Sequence, residues 1–234
     1  MSDRAAAEAT GPESVSVRDL TFRYPSGGYE LEVPSFGVGE RERVALIGPS
    51  GAGKTTLLYL IAGILQAQRG RLSVLGEPLE QLTEAQRRAF RLSRVGMIFQ
   101  EFELLDHLTV SENILLPHLC GANKAQTADV QERMHRLCAR AGLEQHLERR
   151  PRALSQGERQ RVAICRALIT EPTLLLADEP TGNLDPTTTL RILDAVFEEA
   201  EEHRASLVWI THDHSILDRF DRTVDFLAAF GGQA

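Results

Sequence analysis

The amino-acid sequence predicts an α/β protein: a doubly wound, mixed or mostly parallel core, opened by an antiparallel β segment and interrupted by a helical subdomain. Three observations lead there. Continuous apolar runs at 44–48, 173–178 and 206–211 suit parallel strands buried on both faces. The first two are each followed by a helical pattern, the βα order of a parallel sheet. Between them the middle third of the chain turns predominantly helical. A length of 234 residues, 42% hydrophobic and 25% charged, suits one large α/β domain or a domain with a subdomain inserted in it.

The elements follow in order. Residues 1–13 are rich in Ala, Glu and Ser, end in Gly11-Pro12, and read as a disordered tail ahead of a single domain over 14–234. VSVRDLTFRY alternates from Val15 and reads as a strand; a Pro-Ser-Gly-Gly turn at 25–28 leads to a second alternating run, YELEVPSF. VALIG at 44–48 precedes a helix from about Lys54 to Leu65. Thr83 with Gln86, and Thr109 with Glu112, form capping boxes that open two further helices. Between them VGMIF at 95–99 is a short apolar strand ending at Gln100. Over 127–141, Val130, Met134, Leu137, Cys138 and Ala141 recur at helical spacing. The helical subdomain spans about 101–154. In the last third Asp185 is the N-cap of a helix with Pro186 in its first turn and Leu193, Val196, Phe197 and Ala200 on one face. The sequence carries no internal repeat.

Composition excludes some functions. A net charge of −7 and a pI of about 5.6 argue against a nucleic-acid sleeve, which needs clustered Lys and Arg. They argue equally against direct contact with an anionic membrane surface. The three cysteines, Cys120, Cys138 and Cys165, lack metal-ligand spacing and read as small buried hydrophobes in a reducing compartment. The first ten residues lack the apolar core of a signal peptide. No stretch approaches the roughly 18 apolar residues of a membrane span. The chain is expected to be soluble, or held at a membrane only through a partner.

Three motifs carry chemistry. GPSGAGKTT comprises Gly48, Pro49, Ser50, Gly51, Ala52, Gly53, Lys54, Thr55 and Thr56. Its glycines let backbone N–H groups curl into a nest for anionic oxygens, and the helix from Lys54 points its positive end at the same place. Lys54 suits the β- and γ-phosphates, and the Thr55 hydroxyl suits Mg²⁺. A chance Gly-rich turn would match the pattern in roughly one chain in a hundred of this size, and here it also sits between a buried strand and a helix. LLLADE ends a buried strand at Asp178 and Glu179, the edge where open parallel sheets bind ligands. Asp178 suits Mg²⁺ and Glu179 the attacking water; the bland alternative is a strand end carrying two solvated acids. LSQGE places Ser155 and Glu158 as a capping box, with Gln156 and Gly157 between them, at the start of a helix whose buried stripe is Val162, Cys165, Leu168 and Ile169. Read alone, it is a well-capped amphipathic helix.

Taken together, these segments resemble the ABC ATPase family, a branch of the P-loop NTPases. GPSGAGKTT looks like its Walker A loop, LSQGE like its signature, and LLLADE like its Walker B strand. Gln100 matches the Q-loop, a metal ligand within the catalytic site. NLD at 183–185, ending in Asp185, matches the D-loop, His212 in ITHD the switch histidine, and Tyr24 in FRYP the aromatic that stacks on adenine. The elements come in family order over about residues 14–227. The resemblance implies an ATPase using Mg²⁺ and a homodimer paired head to tail. Ser155, Gln156, Gly157 and Glu158 would then face the nucleotide held by the other copy. His212 would steady the γ-phosphate and the attacking water. Two departures stand out: Gln156 replaces the commoner Gly, and FLAAFGGQA lacks the usual charged turn and final strand.

FQEFELLDHLTVSENILLP at 99–117 and ADEPTGNLD at 177–185 resemble the lipoprotein-release and macrolide-export group. That group implies separate integral-membrane permease subunits and a peripheral place on the cytoplasmic face of the bacterial inner membrane, with association indirect through the permease. Gln100, Phe102, Leu104 and Leu105 would line the receiving groove; Leu104 and Leu105 could equally be subdomain core. A non-transporting regulator of a membrane partner, of the cell-division type, is the alternative. A soluble ABC protein of DNA repair or translation would need a coiled-coil insertion or a second cassette, and the sequence has neither.

Overall fold

The computed structural model describes residues 11–25, 27, 30–121, 128–182 and 186–231. Four strands form an antiparallel sheet: β1 (Glu13–Arg23), β2 (Glu30–Gly39), β4 (Arg69–Val74) and β5 (Glu77–Pro78), in the order β2-β1-β4-β5. Five form a parallel sheet: β3 (Arg43–Ile47), β6 (Val95–Ile98), β7 (Leu174–Asp178), β8 (Ser206–Ile210) and β9 (Arg222–Asp225), in the order β6-β7-β8-β3-β9. The helices are α1 (Lys54–Ile61), α2 (Glu84–Arg94), α3 (Val110–Cys120), α4 (Ala128–Ala141), α5 (Gln156–Leu168), α6 (Pro186–Glu202) and the short α7 (Phe226–Phe230).

The continuous apolar runs are explained by burial on both faces. Val44, Leu46, Leu174, Leu176, Val208 and Ile210 join a core with α1 and the antiparallel sheet. Their alternating neighbours Ala45, Leu175, Ala177, Leu207 and Trp209 join a second core under α3, α4, α5 and α6. A strand exposed on one side would have alternated instead.

β1 does alternate, with one change of phase. Val15 and Val17 are buried, then Leu20 and Phe22. The shift falls at Asp19, whose φ is 49°, where the β1–β4 register slips between Arg18 and Thr21. Such a bulge re-aims the residues beyond it. Gly70 makes it possible: its φ is +94°, and a Cβ there would lie 2.4 Å from the Asp19 carbonyl oxygen. Gly70→Ala is therefore expected to lower stability by about 2 kcal/mol or more, read as a shifted urea-unfolding midpoint.

The three capping boxes form as expected, at Thr83/Gln86, Thr109/Glu112 and Ser155/Glu158. Other expectations are corrected. The first helix ends at Ile61 instead of Leu65 because Gly63 turns left-handed, with φ 65°, and both Ile64 and Leu65 then donate to the Tyr59 carbonyl. β9, which no apolar run announces, pairs with β3 from Val44↔Arg222 to Ile47↔Asp225. FLAAF after it is a helix, with Asp225 accepting from the Leu227 and Ala228 N–H groups. Cys120 is exposed at the end of α3, while Cys138 and Cys165 are buried as expected. At the predicted 25–28 turn, Gly27 donates to the Tyr24 carbonyl; Ser26 and Gly28 lie outside the described residues.

Candidate functional site

Parallel register brings four chain segments to one edge. Ile98 pairs with Ala177, Asp178 with Ile210, and Leu46 with Ile210. The strands β3, β6, β7 and β8 thus end together, and Gly48, Gln100, Glu179 and His212 each follow within two residues of an end. That carboxyl edge is the ligand-binding side of an open parallel sheet.

The loop between β3 and α1 is shaped by glycine. Gly48, Gly51 and Gly53 have φ of 146°, 78° and 103°. Nothing lies within 4 Å of where a Cβ on Gly51 would stand. Pro49 and Ser50 are exposed, whereas Ala52 is buried. The N-cap of α1 is left-handed Gly53, with no side chain capping the first turn. The N–H groups of that turn lack intrahelical partners, so they suit an anion. Lys54 is 4% exposed and its ammonium donates to the Gly48 and Pro49 carbonyls at 2.7 and 2.9 Å. Burial pushes the Lys54 ammonium down, while Glu179 and Asp178 hold it up.

Asp178 ends β7 almost fully buried, at 3% exposure. Burial pushes its carboxyl up; a hydrogen bond with Thr55 pulls it down, nearby Glu179 pushes it up, and Lys54 pulls it down. Glu179 follows with φ 45°, and its N–H donates to the Ile210 carbonyl. This turn swings the Glu179 side chain into the edge. His212 Nε2 lies 2.7 Å from Glu179 Oε1, and Gln100 Nε2 donates to Glu179 Oε2 at 3.3 Å. Both carboxylate oxygens are occupied by the protein itself. The bend carrying His212 is fixed by residues the sequence reading passed over: Asp213 N–H donates to Thr211 Oγ1, and Asp213 caps the turn after it.

Tyr24 stands beside the loop. Its hydroxyl is 3.2 Å from Thr56 Oγ1, and its ring meets Phe22 edge-on at 4.9 Å. At 37% exposure it stays partly open to solvent.

The signature residues are held by bonds of their own. Ser155 Oγ accepts from the Glu158 N–H and Glu158 Oε2 accepts from the Ser155 N–H. The Glu158 carboxyl is held low by its bonds with Ser155, and its other oxygen lies 3.2 Å from His146 Nε2. Ser155 and Gln156 are exposed and Gly157 is half-buried. Asp185 lies outside the described residues.

The donor set fits a nucleoside triphosphate with a hard divalent cation: an open anion nest, an ammonium, and the oxygens of Thr55, Asp178 and Gln100.

Comparisons with known proteins identify the family. Residues 31–182 match the family described as ABC transporter. The chain is 42% identical over 215 residues to the lipoprotein-releasing system ATP-binding protein LolD of Roseobacter denitrificans, covering 90% of this chain and 93% of that one. It is 41% identical to LolD 2 of Rhodospirillum rubrum, covering 91% and 93%. Among solved structures, a dimeric ATP-binding cassette, MJ0796, bound to ADP and Pi after hydrolysis, superposes with a TM-score of 0.83 at 29% identity, covering 92% and 95%. The protein cbiO1 of Clostridium perfringens, part of a cbiONQ transporter complex, gives 0.74 at 27% identity, covering 87% and 80%.

Proposed function

The chain belongs to the ABC transporter family, and on that premise we propose that it hydrolyses ATP between two copies of itself to drive a lipoprotein-releasing permease. It is an ATP-binding subunit of the lipoprotein-release type and works with separate membrane subunits. Among the described residues, no helix is long and apolar enough to cross a membrane. We place the subunit at the cytoplasmic face of the inner membrane, held there by the permease. The relatives named above are lipoprotein-releasing proteins, which favours the transport reading over a cell-division regulator.

The observation that carries the hydrolysis reading is the convergence of Gln100, Asp178, Glu179 and His212 on one strand edge beside Lys54. The loop N–H groups and Lys54 bind and orient the phosphates; to do so, Lys54 exchanges its two carbonyl partners for phosphate oxygens. Tyr24 offers its ring to the adenine. Thr55, Asp178 and Gln100 hold Mg²⁺, which when bound neutralises phosphate charge. Glu179 orients and deprotonates the attacking water once it releases His212 or Gln100. His212 then steadies the γ-phosphate and that water. Phosphoryl transfer asks for this kind of positioning and charge neutralisation. Ser155 and Gly157 act on the nucleotide of the opposite copy, and Asp185 belongs to the same interface.

Lys54→Ala removes charge-assisted bonds, so ATP affinity is expected to fall roughly 10- to 100-fold. Tyr24→Ala removes one stacking face, and a loss of about fivefold to tenfold is expected. Fluorescent-nucleotide titration of the full chain reads both. Unchanged affinity in Lys54→Ala would remove the loop from nucleotide binding.

A further inference from the structure

Arg166 lies near the far end of α5, the helix whose first residues are the signature. Its neighbours Cys165 and Ala167 are apolar and buried, and Arg166 itself is only 7% exposed. Burial lowers its guanidinium to about 10, with Glu103 opposing, so it stays charged at neutral pH. Its two terminal nitrogens reach away from the helix: Nη1 donates to the Glu103 carbonyl at 2.5 Å and Nη2 to the Phe102 carbonyl at 2.6 Å. The same guanidinium sits 5.9 Å from the Phe99 ring centre.

Those two carbonyls belong to a strained turn. Phe102 and Glu103 are consecutive non-glycine residues with φ of 62° and 49°. Side chains disfavour this region, and such residues persist only where their surroundings hold them. The far side of the loop is fixed separately: Leu105 N–H donates to Asn113 Oδ1 and its carbonyl accepts from Asn113 Nδ2. Between Phe99 and this anchor sits Gln100, which donates to Glu179. An Arg fork matches two adjacent carbonyls in a way a Lys ammonium does not.

We propose that Arg166 is a positioning residue that ties the Gln100 loop to α5, so that the contact of Gln100 with Glu179 follows the helix presenting Ser155 and Gly157. From Ser155 to Arg166 the helix spans about 16 Å, and a helix moves as a rigid element. A displacement at the signature end is thereby delivered to the carboxylate of the same subunit. Each copy's Glu179 thus senses whether its signature has engaged the opposite nucleotide. The functional consequence rests on the hydrolysis reading above; the clamp itself does not.

The test uses the full chain with Arg166→Met, Arg166→Lys, Gln100→Ala and the double variant Arg166→Met/Gln100→Ala. Hydrogen exchange is measured first, without nucleotide. Amides of 100–104 are expected to exchange at least about tenfold faster in Arg166→Met, with α1 and the parallel sheet unchanged. Unchanged exchange in that loop overturns the clamp whether or not the chain hydrolyses ATP. Turnover is measured second. Arg166→Met is expected to lower kcat about tenfold with ATP affinity kept within about twofold, and Arg166→Lys to fall between it and the parent. In the Gln100→Ala background, Arg166→Met is expected to cause no further loss, because it acts through Gln100. An equal loss in both backgrounds overturns the positioning role. If Arg166→Met does not fold, Arg166→Lys takes its place in both arms. If the unmodified chain shows no turnover, the hydrolysis reading fails and the exchange arm alone decides the clamp.

Discussion

Glu179→Gln is expected to abolish ATP turnover while leaving ATP binding intact. The substitution keeps the size of the side chain and its left-handed backbone, φ 45°. It removes the negative charge that accepts a proton from water. General-base loss costs about 10²- to 10⁴-fold in rate. The loop that binds ATP is built from other residues, Gly48 to Thr56, so affinity survives. An uncharged neighbour changes little at Lys54, since burial is the larger influence there; affinity within about threefold of the parent is the expected result. Single-turnover hydrolysis and nucleotide titration on the same preparation separate the two quantities. Parent-like turnover in the variant would remove Glu179 from the catalytic role.

Gly157→Asp is expected to stop hydrolysis by a different route. An Asp in the first turn of α5 suits the helix dipole, and the Ser155–Glu158 capping box is untouched. The fold is therefore kept. In the paired state the new carboxylate would face phosphate oxygens bound by the other copy. Two like unit charges about 4 Å apart near a surface repel by roughly 4 kcal/mol. Turnover is expected to fall by 100-fold or more, while the affinity of an isolated subunit for ATP stays the same. Sedimentation with ATP is expected to show the variant remaining monomeric under conditions where Glu179→Gln forms dimers. Loss of ATP affinity in the isolated Gly157→Asp subunit would mean that the signature contacts its own nucleotide.

Much of this architecture was legible because its cues are local. A capping box needs only residues three apart, and all three formed. A strand buried on both faces announces itself as an unbroken apolar run, as LLLAD does. β4 and β9 were missed because they lack that cue: RGRLSV carries arginines and a glycine, and RTVD buries only Val224. Their partners, β1 and β3, are distant in sequence. At the site, the motifs named the residues but not their resting partners. Nothing in GPSGAGKTT says that Lys54 bonds to Gly48 and Pro49. Nothing in LLLADE says that Glu179 is shared between His212 and Gln100. Arg166 did leave a trace, a lone charge inside the apolar stretch AICRAL, yet its partners lie more than sixty positions away.

The central claim is that each nucleotide site is assembled from two copies, Lys54 from one and Gly157 from the other. Mixing Lys54→Ala with Gly157→Asp tests it. Each variant alone is expected to be nearly inactive. In a mixed pair, the Gly157→Asp subunit contributes an intact loop and the Lys54→Ala subunit an intact signature, so one complete site is restored. Turnover of the equimolar mixture at saturating ATP is expected to rise well above that of either variant. A mixture no more active than the sum of its parts would contradict the shared site.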